Sequence, residues 1–553
     1  MTYVYPRYDY ERPAEFGGDA GRHRVVVVGA GMVGLTLALD LARRGVKVVV
    51  LDDDDTVSEG SRAICLAKRT LEIFHRLGLG PRLLAKGVTW NVGKVFFQDR
   101  LIYSFNLQPE DGHEYPAFIN LQQYYLEEWL VEACREAGVE LRWRSRVSAV
   151  ENHADHVALT VTTPDGSYRL ESEWLLACDG ARSFVREAMG LPFIGKVFRD
   201  RFLIADVRMQ AAFPNERWFW FDPPFHRGQS VLLHKQPDDV WRIDFQLGWG
   251  ADPEEERRPE RVIPRVRAML GAHVPFELEW VSVYTFRCRR LERFVHGRTI
   301  FAGDAAHQVS PFGARGGNAG VQDADNLAWK LAAVLEGRAG PALIATYDDE
   351  RIAAADENIL NSTRSTDFIT PKTKAAQAYR DGVLGLAEHF PFARALVNSG
   401  RLSRPAVLAS SPLNMRRSPD WPAALPLGAP AADAPVRHGE TDSWLLHHCA
   451  GPGFTLLGFG AEPPLAAESL SALPVTLVQI SPEPGPAPPG VTRLLDRDGL
   501  ARSRYGAPPG GCVLLRPDQH VLARFARFDP DAIRAALAHA YAPRHASHRE
   551  HVG

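Results

Sequence analysis

The residues whose types and spacing indicate chemistry most clearly lie between Gly303 and Asn318. Asp304 follows a short apolar strand predicted over residues 299–302, so it is a carboxylate at the carboxyl end of a strand, where open α/β sheets bind ligands. Beyond it come glycines that admit a ligand to the backbone because they carry no Cβ: Gly313, Gly316 and Gly317. Apolar residues at helical spacing follow. A glycine-rich loop at a helix N-terminus presents N–H groups and a positive dipole end to an electron-rich ligand.

A second glycine pattern lies near the N-terminus. A β-branched strand over residues 24–28 leads into a GxGxxG motif, formed by Gly29, Gly31 and Gly34, and an apolar-faced helix follows. We expect Gly29 to make the turn, Gly31 to admit a pyrophosphate and Gly34 to let helix and strand pack. Asp52 ends the next strand, at the spacing that reaches a ribose hydroxyl. The pattern predicts a dinucleotide-binding α/β domain.

A third motif repeats the arrangement of a carboxylate after an apolar strand. The strand over residues 174–178 ends at Asp179, and Gly180 and Arg182 follow beside the start of a helix. Parallel strands present their carboxyl ends at one edge of a sheet, so this acid and Asp304 are expected near the first glycine motif.

Together these motifs resemble those of the single-component flavoprotein aromatic hydroxylases, the family that includes para-hydroxybenzoate and phenol hydroxylases. The residues that carry the resemblance are Gly29 to Gly34, Asp179 to Arg182, Gly303 to His307, Pro311, Gly313, Gly316 to Asn318 and Gln322 to Lys330. The motifs occur in the family order over more than half of the chain. Two positions depart from the usual pattern, since Arg315 stands where many members carry Gln and Asp52 where they usually carry Glu.

The resemblance implies a bound FAD and assigns residues to it. Arg62 takes the position of an arginine that approaches the flavin, with an ordinary surface ion pair as the alternative. Gln123 matches the glutamine that bonds the ribityl chain, with Gln122 as the second choice. The motif at Asp179 and Arg182 is associated with both FAD and the nicotinamide. The implied cofactor-binding set is Gly29, Gly31, Gly34, Asp52, Arg62, Gln123, Asp179, Arg182, Gly303, Asp304, Pro311, Gly316, Gly317 and Asn318.

The resemblance also implies a reaction and its small-molecule partners. NAD(P)H, as co-substrate, passes a hydride to the flavin, and the reduced flavin captures O₂ as a C4a-hydroperoxide that attacks an electron-rich phenolic ring. Only one GxGxxG motif follows a strand, so the nicotinamide is expected to bind transiently. By pattern the nearest relatives look like 3-(3-hydroxyphenyl)propionate hydroxylases, and this acid is the first guess at the substrate.

The predicted fold class is α/β. It comprises a Rossmann-like FAD-binding domain over residues 1–190 and 296–410, with an inserted β-sheet substrate domain over residues 191–295. A linker rich in Pro and Ala over residues 411–435 leads to a C-terminal domain over residues 436–553 that resembles the thioredoxin-like domain of phenol hydroxylase relatives. This last domain has no CxxC pair, which argues against redox chemistry there and for a stabilising or oligomerising role, such as in a homodimer.

The substrate domain supplies the catalytic candidates. Along the strand predicted over residues 240–247, the polar residues Arg242, Asp244 and Gln246 alternate with apolar ones. The polar face either orients a phenol or lies half-exposed to solvent, and the sequence leaves both readings open. His234 and Tyr284 are candidates for hydrogen bonding to a ring hydroxyl. Pro311 is the third catalytic candidate. It lies in the glycine-rich loop between Gly303 and Asn318, which we call the second glycine loop or flavin loop.

Composition narrows the class of protein. Of the 553 residues, 45% are hydrophobic and 24% are charged, and the formal net charge of −3 provides no field for nucleic acid or an anionic membrane. The N-terminus has no apolar run typical of an export signal, and the apolar run over residues 25–39 is too short to span a bilayer. Six scattered cysteines are expected as reduced thiols, with no metal site. A cytoplasmic location is the expectation.

Three alternatives stay open at this point. A flavin-dependent halogenase shares the first glycine motif, but its diagnostic Trp-x-Trp-x-Ile-Pro is broken here by Asp222 in the stretch over residues 218–223. A polyketide-tailoring oxygenase would use the same flavin chemistry on another substrate. A non-catalytic FAD-binding scaffold, assembled through the C-terminal domain, is the alternative that is not an enzyme.

Overall fold

The computed structural model describes residues 3–18, 21–60, 62–211, 213–271, 273–397, 402–415, 421, 425–461, 465–470 and 473–543. Over these residues the chain is a mixed α/β protein. Its helices are α1 (Met32–Arg43), α2 (Lys68–Arg76), α3 (Gly80–Lys86), α4 (Gln123–Glu136), α5 (Phe184–Ala188), α6 (Pro253–Glu256), α7 (Pro259–Leu270), α8 (Gly316–Leu335), α9 (Ala342–Ile369), α10 (Lys374–His389), α11 (Pro391–Leu396), α12 (Leu500–Tyr505) and α13 (Pro530–Tyr541). None of these described helices combines the length and apolar character that crossing a lipid bilayer requires.

The strands form three larger sheets and a small one. They are β1 (Gly21–Val28), β2 (Val48–Leu51), β3 (Cys65–Ala67), β4 (Val88–Trp90), β5 (Val92–Phe97), β6 (Arg100–Asn106), β7 (Phe118–Asn120), β8 (Glu140–Arg142), β9 (Arg146–Asn152), β10 (Val157–Thr163), β11 (Gly166–Ala177), β12 (Phe193–Arg208), β13 (Arg217–Phe221), β14 (Ser230–Lys235), β15 (Val240–Leu247), β16 (Glu277–Leu291), β17 (Val295–His296), β18 (Thr299–Phe301), β19 (His307–Gln308), β20 (Pro435–His438), β21 (Thr441–Trp444), β22 (Phe454–Phe459), β23 (Val475–Ser481), β24 (Thr492–Leu495), β25 (Cys512–Leu515) and β26 (Val521–Phe525).

The first sheet contains the parallel strands that the glycine motifs predict. Its order is β17-β18-β11-β1-β2-β8, and strands β18, β11, β1, β2 and β8 run parallel. Their apolar side chains are buried on both sides, as expected where helices cover both faces of a parallel sheet. Helices α1 and α8 pack against each other on this sheet, so both glycine-rich loops are anchored to one hydrophobic core.

The second sheet has the order β19-β16-β12-β15-β14-β13-β5-β6. Its alternation confirms the period-two pattern predicted for β15. The apolar residues Ile243 and Phe245 lie in a cluster with Val262 and Val266 of α7, which covers that face. Strands β5 and β6 join this sheet from residues 92–106, outside the range predicted for the substrate domain. The predicted domain boundaries themselves stay predictions.

The third sheet belongs to the C-terminal part and has the order β21-β20-β24-β23-β22-β25-β26. In this sheet β22 and β23 run parallel, and β25 and β26 form an antiparallel hairpin. The last helix is capped by Asp529, which accepts hydrogen bonds from the N–H groups of Asp531 and Ala532. In the predicted linker, Trp421 and Ala431 are buried against this sheet, while residues 416–420 and 422–424 lie outside the described residues.

A buried group of charges, which we call the interdomain cluster, joins α8 and α9 to the turn between β25 and β26. Its members, all fully buried, are Lys330, Glu350, Arg516 and Asp518. Glu350 accepts hydrogen bonds from Lys330 at 2.7 Å and from Arg516 at 2.6 and 3.0 Å, and Arg516 Nε donates to Asp518 at 2.9 Å. Beside it, Trp329 packs against Phe454 of the C-terminal sheet. The C-terminal part is therefore fixed to the back of the helices that begin at the second glycine loop.

Candidate functional site

The three sequence motifs and Asp52 meet at one edge of the first sheet. Val28 pairs with both Leu51 and Ala177, and Ala177 pairs with Phe301, so β2, β1, β11 and β18 end side by side. The residues that follow these strand ends are Gly29, Asp52, Asp179 and Gly303. The predicted convergence at the carboxyl edge of a parallel sheet is observed.

The glycines of the first motif differ in what surrounds them. Gly29 has φ +104°, and a Cβ there would lie 2.5 Å from the carbonyl oxygen of Cys178. A Cβ on Gly34 would lie 2.0 Å from the carbonyl oxygen of Gly29. At Gly31 the nearest atom would be Glu127 Oε1 at 3.6 Å. Gly29 and Gly34 are thus required by close packing, whereas Gly31 faces the open side of the loop, where a ligand would approach.

The second glycine loop delivers another helix N-terminus to the same place. Helix α8 begins at Gly316 with no side-chain cap, and the nearest atom to a Cβ on Gly316 would be Val309 Cγ2 at 3.6 Å. A Cβ on Gly317 would lie 2.7 Å from Met32 Cε, at the start of α1. Two helix N-termini therefore converge, and their N–H groups and dipoles suit a negatively charged ligand.

The three carboxylates of the motifs have different surroundings. Asp52 accepts hydrogen bonds from the N–H groups of Ala30, at 2.5 Å, and Asp54, at 2.9 Å, and burial raises its pKa to about 6. Asp179 Oδ2 accepts from the N–H of Val185 at 3.0 Å, while its buried Oδ1 has no partner among the described residues. Asp304 is accessible, yet desolvation raises its pKa against the opposing effects of His307 and Arg62. An accessible side chain in a desolvating environment lies on the wall of a cleft.

The remaining predicted cofactor residues surround this cleft in different ways. Gln123 accepts a hydrogen bond from the N–H of Ala63 at 3.0 Å and donates to Glu127 at 2.7 Å. Arg62, Arg182 and Pro311 are exposed. The charge of Arg62 lowers the pKa of Asp304, so Arg62 lies near that carboxylate, and its role toward the flavin stays a prediction.

The side chain of Asn318 is fully used in hydrogen bonds within the protein. Its side chain accepts hydrogen bonds from the N–H of Ala67 at 2.8 Å and from Thr70 at 2.6 Å, and it donates to the carbonyl oxygens of Cys65 at 2.9 Å and Ala314 at 2.6 Å. These bonds use the whole amide. A role of Asn318 toward a cofactor therefore falls to its backbone N–H in the first turn of α8.

Residues that sequence reasoning did not single out hold the loops in place. Asp323 accepts hydrogen bonds from the N–H of Gly303 at 3.0 Å and from Arg351 at 2.6 Å, and it lies 2.6 Å from His307 Nε2. These contacts give His307 a local structural role. Glu127 accepts from the N–H groups of Met32 at 3.1 Å and Ser58 at 2.8 Å. Asp323 belongs to the motif over residues 322–330 that carries the family resemblance, but the sequence gives no signal of its contacts with Gly303, His307 and Arg351.

The polar face of the second sheet is turned toward the glycine loops. Arg242 donates to the carbonyl oxygen of Arg62 at 3.1 Å, and His234 Nδ1 lies 4.0 Å from Cys65 Sγ. The reading that leaves this face in solvent is therefore wrong. Tyr284, on the same face, is 38% exposed, and burial first and the Asp304 carboxylate second raise the pKa of its hydroxyl. Tyr284 thus lies on the side of the second sheet that is nearest to Asp304 of the second glycine loop.

His234 is held in a different environment. Burial first, then the charges of Arg217 and Arg242, place its pKa well below the ordinary value, so the ring is neutral near pH 7. Its Nε2 lies 3.9 Å from Asp244 Oδ2. Burial raises the pKa of Asp244 to about 6, against the effect of Arg242. A neutral imidazole beside a carboxyl group that titrates near neutrality can accept or relay a proton.

A group of possible metal ligands occurs elsewhere in the described part of the chain, although the sequence predicts no metal site. Ligand atoms of His75, Glu114 and His447 all lie within 4.8 Å of one another. The two imidazole rings are stacked, with centroids 4.0 Å apart and planes 12° from parallel. One ion cannot lie in the plane of both rings in this arrangement. His447 Nε2 lies 2.8 Å from Glu114 Oε2. We therefore interpret the three residues as a hydrogen-bonded contact between His75 and Glu114 on one side and His447 of the C-terminal part on the other.

The residues at the sheet edge fit a dinucleotide that carries a flavin. The open side of Gly31 and the two helix N-termini suit a pyrophosphate, and the carboxylates of Asp52 and Asp304 are acceptors for sugar and ribityl hydroxyls. Tyr284, on the polar face of the second sheet, lies close enough to this edge for the charge of Asp304 to raise the pKa of its hydroxyl.

Comparison with known proteins agrees with this geometry. Residues 22–362 match the model of the FAD binding domain family, and residues 430–540 match the model of the HcaD C-terminal domain. The 6-methylpretetramide 4-monooxygenase of Streptomyces rimosus is 33% identical over 94% of both chains. The 3-(3-hydroxy-phenyl)propionate/3-hydroxycinnamic acid hydroxylase of Mycolicibacterium smegmatis is 29% identical over 90% of this chain and 89% of its own.

Solved structures show the same fold. The flavin-dependent monooxygenase PieE, in complex with FAD and substrate, superimposes with a TM-score of 0.78 at 23% identity, covering 93% of this chain and 99% of PieE. The family model spans most of the chain, the relatives extend over nearly its whole length, and the cleft has the residues that a flavin dinucleotide requires. The chain belongs to the family of FAD-dependent aromatic hydroxylases.

Proposed function

We propose that this protein is a monooxygenase that uses FAD, NAD(P)H and O₂ to hydroxylate a phenolic aromatic substrate. The observation that carries the proposal is that the glycine loops meet at one edge of the first sheet, next to the polar face of the second sheet, where the charge of Asp304 raises the pKa of Tyr284. The bound flavin would supply the redox chemistry, accepting hydride from NAD(P)H and activating O₂ by the hydroperoxide route that the sequence resemblance implies.

The residues of the chain have distinct roles in this proposal. Gly31, Gly316 and Gly317 admit the pyrophosphate and the flavin to the backbone, and the N-terminus of α8 stabilises negative charge on the reduced ring. Asp52, Gln123 and Asp304 bind the sugar and ribityl hydroxyls. Arg62 approaches the flavin ring. Asp179 and Arg182, at a neighbouring strand end, are placed to engage the transient nicotinamide.

Tyr284 and His234 act on the substrate. Tyr284 has a raised hydroxyl pKa, so it stays protonated and can donate a hydrogen bond to a ring oxygen. His234 is neutral, and because its pKa is low it can relay the proton of a phenol toward Asp244 rather than hold it. Removing that proton increases the electron density of the ring. Pro311, in the exposed turn of the flavin loop, would limit how closely the ring approaches.

The test is isotope incorporation by the purified protein alone. With ¹⁸O₂, NADH or NADPH and a panel of hydroxylated aromatics, we expect one labelled oxygen in a ring-hydroxylated product and no need for a partner reductase. Label found only in hydrogen peroxide across the whole panel would contradict the proposal. Stimulation of NAD(P)H oxidation by a phenol would exclude the non-catalytic scaffold.

A second candidate concerns the substrate rather than the reaction. The relative named 6-methylpretetramide 4-monooxygenase is 33% identical, against 29% for a relative named for hydroxyphenylpropionate. This difference favours including polycyclic phenols, as a polyketide-tailoring oxygenase would use, beside single-ring acids in the panel. Product from polycyclic phenols alone would make the tailoring role the better description.

A further inference from the structure

A line of charged and polar side chains crosses the polar face of the second sheet, and we call it the polar row. Trp218 pairs with Leu233, so the preceding residue, Arg217 on β13, lies beside His234 on β14. His234 pairs with Arg242 on β15, and Arg242 pairs with Asp206 on β12. Asp244 lies two residues beyond Arg242 on the same face. Four neighbouring strands thus contribute to one row.

The two arginines of the row differ in their partners. Arg242 forms a two-pronged pair with Asp206, at 2.8 Å through Nε and 2.9 Å through Nη2. Arg217 is only 8% exposed, and its Nη1 has no partner among the described residues. The Asp244 Oδ1 atom is likewise buried without a described partner. A buried guanidinium N–H without a hydrogen-bond partner destabilises the folded protein. Such a group is tolerated most readily where a ligand accepts the missing hydrogen bond.

The cavity in front of Arg217 leads to the flavin loop. It is bounded by Phe219 of the same strand, by Val95 of β5, and by Phe312 and Gly313 of the second glycine loop. Most of the wall is apolar, and its polar side chains are Arg217, Ser365 and Lys94, the last already paired with Glu216 at 2.8 Å. The cavity has a volume of about 20 Å³, so it admits one oxygen-sized group beside Arg217, and the ring of a ligand would lie outside it.

We infer that Arg217 binds an oxyanion of the aromatic substrate, either a ring phenolate or a side-chain carboxylate, in a subsite completed by Asp244. The free oxygen of Asp244 accepts a hydrogen from a neighbouring substrate hydroxyl, and its charge limits the subsite to a single negative group. This inference rests on the proposed function for the identity of the ligand as an aromatic substrate. It assigns recognition to the polar row and leaves oxygen transfer to the flavin side of the cleft.

Binding to the FAD-bound protein, measured by calorimetry without NAD(P)H, tests the subsite. One arm compares 3-(3-hydroxyphenyl)propionate with its methyl ester, and the other compares alizarin, whose ring hydroxyl ionises readily, with its dimethyl ether. We expect at least one acid to bind more tightly than its neutral partner. Arg217→Gln should weaken that acid about tenfold or more and leave the neutral partner nearly unchanged, because only the charge-assisted bond is lost.

Two further variants control the comparison. Arg217→Lys keeps the positive charge and should retain most of the preference for the acid. Arg208→Gln removes an arginine of the same sheet that is paired with Glu279 at 3.0 Å, and it should leave both affinities unchanged. Flavin absorbance verifies that each variant holds FAD. If Arg217→Gln loses FAD, the test uses the other two proteins. The inference then requires that wild type binds the acid more tightly than its neutral partner and that Arg217→Lys keeps this preference.

Several outcomes would overturn the inference. These are equal binding of acid and neutral partner in both arms, absence of binding by either acid, and equal weakening of both partners by Arg217→Gln. Because no turnover is involved, the result is separate from the proposed function. If the protein binds the acid selectively but forms no labelled product, the Arg217 subsite is supported and the monooxygenase proposal is wrong. If the protein forms labelled product and Arg217→Gln leaves KM unchanged, the monooxygenase proposal is supported and the Arg217 subsite is wrong.

Discussion

The interdomain cluster and the polar row are two buried groups of charges that differ in whether their polar atoms have hydrogen-bond partners. In the interdomain cluster, both oxygens of Glu350 accept hydrogen bonds from Arg516, and Lys330 donates to the same carboxylate. In the polar row, Arg217 and Asp244 each keep a buried atom without a described partner. Proteins satisfy nearly all buried polar groups, so the difference separates charges that hold the structure together from charges that await a ligand.

The pKa of a buried carboxyl group also shifts in opposite directions in the two groups. Burial alone would raise the pKa of Glu350, but Arg516 and Lys330 hold it far below its ordinary value. In the polar row burial prevails, and the pKa of Asp244 rises to about 6 despite Arg242. A complete set of partners favours the ionised form, and an incomplete set does not.

Glu350→Gln should have the largest effect, because it leaves Arg516 and Lys330 buried without their carboxylate. We expect the free energy of unfolding to fall by about 3–5 kcal/mol, measured by denaturant titration of the FAD-bound protein. The control is Asp356→Asn, which removes a half-exposed ion pair with Arg290 at 2.6 Å and should cost at most about 1 kcal/mol. Equal losses in the two variants would show that the cluster does not stabilise the fold.

Asp304→Lys tests the accessible side of the molecule, where a carboxylate serves a ligand. A cation cannot accept a ribityl hydroxyl, so FAD should bind about 100-fold more weakly while the apoprotein remains folded. Flavin absorbance per protein and circular dichroism measure the two properties. Asp304→Asn, which keeps an acceptor oxygen, should retain more flavin. Full occupancy in Asp304→Lys would contradict the assignment of this loop to FAD.

Asp244→Asn should change how stability depends on pH. A carboxyl whose pKa is raised on folding favours the folded state below the unfolded pKa and loses that contribution as pH rises to about 6. Relative to wild type, the variant should therefore become more stable by about 2–3 kcal/mol between pH 4 and pH 7. Urea titrations at a series of pH values measure the difference. A constant difference over this range would mean that Asp244 is ionised in both states.

Arg217→Met should have the smallest effect on stability, and in the opposite direction to Glu350→Gln. It replaces an incompletely paired buried cation with a shorter, flexible apolar side chain, so the free energy of unfolding should be unchanged or higher by about 1 kcal/mol. Thermal unfolding of the ligand-free variant provides the measurement. A loss comparable to that of Glu350→Gln would place Arg217 among the structural charges.

The sequence alone predicted the edge of the first sheet at which the glycine turns and the motif carboxylates meet. Strand, glycine turn and helix are contiguous in each motif, so Gly29, Asp179 and Gly303 could be placed at strand ends, and the structure brings those ends together. The alternation along β15 likewise predicted two unlike faces. These features depend on neighbours in sequence, where residue type and spacing dictate local geometry.

Only the tertiary structure decided which face of the second sheet meets the flavin loops and which charges are satisfied. Arg217, His234 and Arg242 adjoin through strand register, and Glu350 meets Arg516 through the packing of the C-terminal sheet on α8 and α9. The side chain of Asn318 is hydrogen-bonded to the backbone of Ala67 and Cys65, which the glycine motif did not predict. Burial and pairing of a charge depend on residues distant in sequence, so a motif predicts the presence of a charged group but not its partners.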